Sequence, residues 1–340
     1  MKLYNFLVNK IIYEDIQPNS HFGLITDWSY ATLLKNACKK NNVEFEKIAE
    51  GNFYFKKDGK YIGSVSNMIS SLISSTSIHI AKNKKLTNKI LSNAGLPVPK
   101  QKSFNGDQLD EARSYIINYP GKVVVKPLDA KGGEGISVNV DKSSNLDEIL
   151  NYATHATLSK NKTILIEEML DGIDIRVVVI NGKFKCAASR IPSHVIGNGT
   201  HTINELIQQK NQLRRKMPYH KLHLIKESAD NRIPQINEIV WLNEITNIAQ
   251  GGEAMDLTDY LSHDIKVICE KAVKAIPGLK LAGVDLLANS LTDPSQVKIL
   301  ELNTYCNLTF NQYPYYGKGF NVFDSLIEET IKEYERFSNS

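Results

Sequence analysis

The sequence predicts a mixed α/β (α+β) protein organised in two or three subdomains, and three observations predict it. At 340 residues the chain is too long for one ordinary core. Short apolar runs with strand-like alternation recur along it, bounded by glycine turns. Helical runs with recognisable start and stop signals lie between them. Composition, 42% hydrophobic and 23% charged, is that of a soluble globular protein.

In chain order, residues 1–80 mix short apolar runs, such as Phe22-Gly23-Leu24-Ile25, with a helical stretch over 30–41, which predicts a small α/β lobe. A helix is expected over 84–94, with Leu86, Ile90, Leu91 and Ala94 on one face. Gly95 stops it and Pro97 and Pro99 come next, marking a subdomain boundary. Residues 122–126 read as a strand, Gly132-Gly133-Glu134-Gly135 as a glycine turn and 136–140 as a returning strand, together a hairpin. Further strands are expected at 163–167, 175–180, 183–188, 238–242, 283–287 and 298–303, with helices near Glu205, Ile265 and Ser325. Thr202 and Glu205 have capping-box spacing, so a helix starts there. The polar, basic stretch 208–235, with Arg214, Arg215 and Lys216 adjacent, reads as a solvated loop or lid.

The net charge of +4 is spread along the chain and gives no argument for nucleic acid. No run of 18 apolar residues occurs and the N-terminus lacks the pattern of a signal peptide, so no membrane partner is expected. Cys38, Cys186, Cys269 and Cys306 lack the paired spacing of a zinc site or disulfide frame, and a cytoplasmic location is expected. His220 and His223 sit three apart with too few accompanying ligands to suggest a metal.

The strand pair 283–287 and 298–303 carries the sharpest chemistry. It seats Asp285, Glu301 and Asn303 among apolar residues, where carboxylates are rarely buried unless paired or metal-bound. Alternation puts Glu301 and Asn303 on one face, and a neighbouring strand brings Asp285 beside them. Two carboxylates and an amide oxygen suit a hard cation such as magnesium. The competing reading is a polar pair that caps a loop at a strand end. No P-loop and no strand-led G-x-G-x-x-G is present. Gly133 and Gly135 in the hairpin turn can bring backbone N–H groups close to phosphate, with Lys126 as the cation on the preceding strand.

The segments beyond that hairpin are more specific. Ile164-Leu165-Ile166-Glu167-Glu168-Met169-Leu170 leads into Gly172-Ile173-Asp174-Ile175-Arg176 and then Ala188-Ser189-Arg190-Ile191-Pro192. Together with Gly197-Asn198-Gly199-Thr200-His201-Thr202, Gly251-Gly252-Glu253-Ala254-Met255-Asp256 and Glu301-Leu302-Asn303, these stretches resemble the ATP-grasp carboxylate–amine ligases. The closest branch is the one containing cyanophycin synthetase and bifunctional glutathione synthetase, and the resemblance runs from about residue 61 to 324.

That resemblance implies an ATP-grasp fold, with nucleotide held between two antiparallel-sheet subdomains. Its parts are a lobe over 1–100, a central subdomain over 101–168 with the glycine-rich loop, and a C-terminal subdomain over 169–335 with the metal and substrate sites. It implies ATP and Mg2+ as cofactors and small amino acid or peptide substrates, and it allows a homo-oligomer. Lys84 and Lys126 would contact the phosphates, with Gly133 and Gly135 in the loop over them. Glu167 and the Leu170 backbone would meet the adenine edge, and Asp174 the ribose hydroxyls. Asp285, Glu301 and Asn303 would hold magnesium, while Asn247, Gly251 and Gly252 would border the substrate. Members of the family activate a carboxylate as an acyl phosphate that an amine then displaces. Arg176 and Arg190 are the candidates for neutralising the transferred charge. For Arg176 the plainer alternative is a structural ion pair with Asp174 or Glu168.

Departures from the family pattern lie on the substrate side. Asn243, Glu244 and Ala249-Gln250-Gly251-Gly252 stand where arginines and Ser-Thr-Gly-Gly are usual. Asn198 stands for a glycine-flanked acid, Cys306-Asn307 for Pro-Gly, and Phe310-Asn311 for Met-His. Glu244 in place of an arginine would oppose an acidic partner and favour a cationic or neutral one. The length leaves no room for the extra domain of those relatives, so a free-standing enzyme making one amide bond is expected. A glutathione-synthetase-like ligase and a non-catalytic ATP-binding regulator are the alternatives.

Overall fold

A computed structural model describes residues 2–13, 29–129, 134–217, 220–243 and 251–338. The lobe contains α1 (Lys2–Tyr13), α2 (Tyr30–Lys40), β1 (Glu44–Ala49), β2 (Asn52–Lys57), β3 (Lys60–Ser66), β4 (Ile69–Ser70), α3 (Ser75–Lys82) and α4 (Lys84–Asn93). Its four strands pair antiparallel in sequence order. The predicted helix over 30–41 forms, with the Ser29 hydroxyl accepting from the Thr32 N–H, and buries Leu33, Leu34, Ala37 and Cys38. The Phe22–Ile25 run lies outside the described residues. α4 ends as expected at Gly95, whose φ of +71° an L side chain rarely adopts. Its buried face differs from the prediction: Thr87 and Leu91 are inside, whereas Leu86 is 39% exposed. The Thr87 hydroxyl donates to the Ile80 carbonyl at 2.8 Å and the Asn88 amide to the Pro99 carbonyl at 3.0 Å. Those bonds tie the helix at a rotation that hydrophobic spacing alone does not specify.

The central part comprises β5 (Gln101–Phe104), α5 (Leu109–Ile117), β6 (Val123–Pro127), β7 (Ser137–Val140), α6 (Leu146–Ala156) and β8 (Ile164–Glu168). The strands form an antiparallel sheet in the order β5-β8-β6-β7, closed by its own core around Phe104, Ile116, Val125, Leu150 and Ile166. The predicted hairpin is β6–β7, with Val123 opposite Val140 and Val125 opposite Ser137. Gly135, at φ +72°, is needed where it stands: a Cβ there would lie 2.5 Å from the Ala156 Cβ. Gly133 lies outside the described residues. Helices α5 and α6 were not expected from the sequence, although Asn145 caps α6 through the Glu148 N–H.

The C-terminal part contains β9 (Ile173–Ile180), β10 (Lys183–Ile191), β11 (His194–Ile196), α7 (Ile203–Arg215), β12 (Ile239–Trp241), β13 (Glu253–Asp256), α8 (His263–Lys274), β14 (Leu281–Ala288), β15 (Val297–Asn303), α9 (Thr309–Gln312) and α10 (Val322–Ser338). Five strands form an antiparallel sheet ordered β13-β10-β9-β14-β15. α8 packs against β9, β10, β14 and β15, while α10 packs on α2 and β3. The lobe and this part therefore share one continuous core.

α7 begins with the predicted Thr202–Glu205 capping box. Residues 208–215 are not part of the solvated loop the sequence suggested, because α7 continues to Arg215 and Arg214 is fully buried, whereas 223–235 carry no helix or strand and are mostly exposed, as expected. Arg214 Nη1 and Lys210 Nζ, one helical turn apart, each lie 2.9 Å from a different oxygen of the buried Glu253 on β13. Charge read along a chain looks solvated. The opposing carboxylate that lets it be buried arrives only from a distant strand. No helix among the described residues is long and apolar enough to cross a membrane.

Candidate active site

Strand register assembles the site. Asp285 on β14 stands opposite Glu301 on β15 and opposite Arg176 on β9, while Gly283 stands opposite Asn303. On β10, Ala188 is opposite Arg176, and Arg190, two residues on, shares its face. One face of the sheet thus carries Asp174, Arg176, Arg190, Asp285, Glu301 and Asn303. Gly283 makes room for this: a Cβ there would meet Arg176 Cδ at 3.2 Å and Cys306 Sγ at 3.1 Å.

Arg176 grips Asp285 with its fork, Nε to Oδ1 and Nη2 to Oδ2, both at 2.7 Å. The partner is neither Asp174 nor Glu168, the two that the sequence offered. Asp174 is instead paired with Arg190, whose guanidinium also lies 3.8 Å from Asp285. The Asn303 amide donates at 3.0 Å to both Asp285 and Glu301. Lys84 Nζ, at the first turn of α4, is 3.9 Å from Glu301. On the central sheet, Lys126 on β6 and Glu167 on β8 form a 2.6 Å ion pair, both largely buried. Each of the four predicted cations, Lys84, Lys126, Arg176 and Arg190, is therefore matched to a predicted anion, Glu301, Glu167, Asp285 and Asp174.

Burial pushes Asp285 up to about 6, with nearby Asp174 and Glu301 adding to it and Arg176 opposing. Burial also works against Glu301, yet the Asn303 hydrogen bond and the charges of Lys84 and Arg176 hold it below the ordinary carboxylate value. For Arg176, burial opposes the charge and Asp285 more than offsets it.

The donor set fits a hard cation. Two carboxylates and one carboxamide converge where the Asn303 Nδ2 now sits between the acid oxygens, and rotating that amide presents its Oδ1 to the same point. Among the described residues no third His, Cys, Asp or Glu joins them, so any ion there retains water or phosphate ligands. The competing loop-capping reading does not fit: among the described residues neither Asp285 nor Glu301 accepts a bond from a loop N–H, and both are engaged with side chains.

Leu170 lies half-buried in the link between the two sheets, just before Gly172. Gly251 (φ +93°) and Gly252 are buried and lead into β13, where Ala254 is the register partner of Arg190, so they reach the neighbourhood of the site. Gly133 and Asn247 fall outside the described residues, as does Glu244. One neighbour was not expected from the sequence. Tyr4 of α1 packs edge-on to Trp241, with ring centroids 5.9 Å apart, and its phenol is pushed up to about 12 by burial and by the Asp174 carboxylate. No sequence signal links residue 4 to residue 174.

Two antiparallel sheets, one carrying the metal-type donor set and the other a buried lysine–glutamate pair, are the arrangement of the ATP-grasp fold. Residues 106–217 match the family described as prokaryotic glutathione synthetase, ATP-grasp domain. Among curated proteins, the chain is similar to cyanophycin synthetase of Synechocystis sp., 33% identical over 270 residues, covering 74% of this chain and 30% of that protein. It is likewise similar to the glutathione biosynthesis bifunctional protein of Clostridium perfringens, 30% identical over 334 residues, covering 91% of this chain and 42% of that protein. The crystal structure of a bifunctional glutathione synthetase from Pasteurella multocida shares the fold, with a TM-score of 0.71 at 23% identity over 92% of this chain and 45% of that one. The chain spans less than half the length of each of these relatives. The chain has the ATP-grasp fold, and its sequence is similar to parts of cyanophycin synthetase and of the bifunctional glutathione biosynthesis protein.

Proposed function

We propose that this chain is an ATP- and magnesium-dependent carboxylate–amine ligase. It joins an amino acid or peptide carboxylate to an amine through an acyl phosphate and releases ADP and phosphate. The observation that carries this is the paired charge array: Lys84, Arg176 and Arg190 interlock with Glu301, Asp285 and Asp174 on one face of the C-terminal sheet, and a fourth pair, Lys126–Glu167, stands on the central sheet. Two like unit charges 4 Å apart repel by about 4 kcal/mol at an effective dielectric of 20, so a triphosphate needs such cations, and the acids keep them in place until it arrives.

Lys126 and Lys84 take the phosphates when nucleotide enters, leaving Glu167 for the adenine edge with the Leu170 backbone, and Gly133 and Gly135 close over the phosphates. Asp174, parted from Arg190, takes the ribose. Asp285, Glu301 and Asn303 hold magnesium, which when bound screens charge on the transferred phosphoryl group. Arg176 and Arg190 orient and neutralise the activated carboxylate. Asn247, Gly251 and Gly252 border the substrates, which are small molecules. The same reading divides the chain at 1–100, 101–168 and 169–335 and sets it in the cytoplasm.

ADP release measured with ATP, magnesium and pooled amino acids and dipeptides, then mass spectrometry of the products, tests this. A condensation product whose mass is the sum of acid and amine less water is expected, with one ADP per product. A nucleotide-binding regulator would release no ADP under any pool, and that outcome refutes the ligase.

A further inference from the structure

α9 lies across the working face of the sheet, packed on β10 and β13. Its Phe310 clusters with Ala188 and Ala254, and these flank Arg190: Ala188 two residues before it on the same face, Ala254 opposite it in register. The next residue, Asn311, is 3% exposed. Its backbone is fully used, the N–H donating to Leu308 at 3.1 Å and the carbonyl accepting from Phe320 at 3.0 Å. Its carboxamide is not: neither Oδ1 nor Nδ2 has a hydrogen-bond partner among the described residues.

Polar neighbours in the same segment behave differently. Asn307 accepts from the Thr309 N–H at 3.0 Å, and Gln312 accepts from the Phe323 N–H at 3.3 Å. Those amides shape the loop, whereas the one at 311 does nothing for the ligand-free fold. A buried amide without partners is costly, and such groups are rare in folded proteins. Two further unpartnered atoms belong to the same face, Arg190 Nε and Asp174 Oδ1.

We propose that Asn311 is a specificity-determining residue whose carboxamide hydrogen-bonds an uncharged amide of the substrate, a peptide unit or a primary carboxamide. Both of its polar atoms await partners, so the complement has to offer a donor and an acceptor together. A carboxylate there leaves Oδ1 facing another acceptor, and an ammonium leaves the Nδ2 hydrogens facing other donors. A second amide satisfies both. The substrate thus presents an amide at this point, as a peptide unit or as a side-chain carboxamide. This deepens the ligase reading and rests on it for turnover, but not for binding.

The test uses the full chain and Asn311→Leu, which keeps the size and removes both polar atoms. Without ligand, the N311L variant is expected to melt at or above the wild-type temperature, because replacing an unsatisfied polar group by an apolar one of similar shape is neutral or stabilising. Glycylglycinamide at millimolar concentration, with ADP and magnesium present, is expected to raise the melting temperature of the wild type, and glycine is not. The N311L variant should lose at least tenfold in apparent affinity for glycylglycinamide while keeping its nucleotide affinity. A drop of several degrees for ligand-free N311L would reveal a structural partner and overturn the proposal. So would equal responses to the two probes in the wild type, or an undiminished response in the variant. If ADP release fails with every substrate while the amide still binds through Asn311, the ligase reading falls and this assignment stands.

Discussion

Replacing Arg176 by methionine isolates the electrostatics at the centre of the site. The substitution leaves Asp285, 4% exposed, without the guanidinium that binds both its oxygens at 2.7 Å. A carboxylate in that position either remains charged at high cost or takes a proton, and protonation caps the penalty. With an ordinary value of 3.8, neutralising Asp285 at pH 7 costs about 4 kcal/mol at roughly 1.4 kcal/mol per unit. Proton counts set the sign. Wild-type Asp285 already sits at about 6, so the folded protein holds more protons than the unfolded one between pH 4 and 6 and loses stability as pH rises through that window. Above 6 both wild-type states are ionised and this contribution is flat. Without Arg176 the folded value climbs, so R176M should keep losing roughly 1.4 kcal/mol per pH unit above 6, or almost 3 kcal/mol by pH 8. Urea unfolding at pH 5, 6, 7 and 8 reads this directly. The double variant R176M/D285N has nothing to titrate and should recover most of the stability and lose the slope, while both variants lose ADP release. A deficit in R176M that does not change between pH 6 and 8, or one that D285N fails to relieve, would refute the reasoning.

Three further outcomes are expected. Lys126→Met should weaken nucleotide binding by about tenfold or more, the equivalent of a charge-assisted hydrogen bond of roughly 1.5–3 kcal/mol, as measured by calorimetric titration with a non-hydrolysable ATP analogue. Gly135→Val places a side chain at φ +72° and 2.5 Å from Ala156, and should destabilise the central subdomain by about 2 kcal/mol or more, seen as an early unfolding step in proteolysis. His194 is fully buried and held down at about 4 by burial, with Lys210 and Arg214 opposing its protonation and Glu253 favouring it. The unfolded chain therefore binds the extra proton between pH 6.5 and 4, and up to about 3 kcal/mol of stability present above pH 6.5 is lost as pH falls through that window. His194→Gln should flatten that part of the profile in a melting series, and an unchanged profile would count against it.

How far the site could be read in advance depended on the range of the interactions. The β6–β7 hairpin, the Thr202–Glu205 cap and the stop at Gly95 are local, set by residues within a few positions of one another, and each formed where spacing predicted. The alternation that aligned Glu301 with Asn303 is equally local, and one antiparallel pairing was enough to add Asp285. The rotation of α4 was harder, because its bonds to the Ile80 and Pro99 carbonyls decide it, and α5 and α6 were missed although the Asn145–Glu148 cap of α6 is as local as that of Thr202 and Glu205. Asn311 was marked in the sequence only as a substrate-side departure, and its burial without a partner among the described residues, the approach of Tyr4 and the buried Lys210–Glu253–Arg214 cluster were out of reach.

By itself, then, the sequence determined which chemical groups this protein owns and which short elements carry them. The order of motifs from Lys126 to Asn303 was sufficient to name the fold through its resemblance to the ATP-grasp ligases, while strand period and glycine placement marked the short elements. Only the tertiary structure decided who faces whom. Arg176 meets Asp285 across 109 residues, Arg214 is buried because Glu253 arrives to receive it, and Asn311 is left without a partner among the described residues. Charge pairing and burial are properties of positions in space, fixed by the register of β9, β10, β13, β14 and β15, and a linear pattern carries no record of that register until the sheet closes.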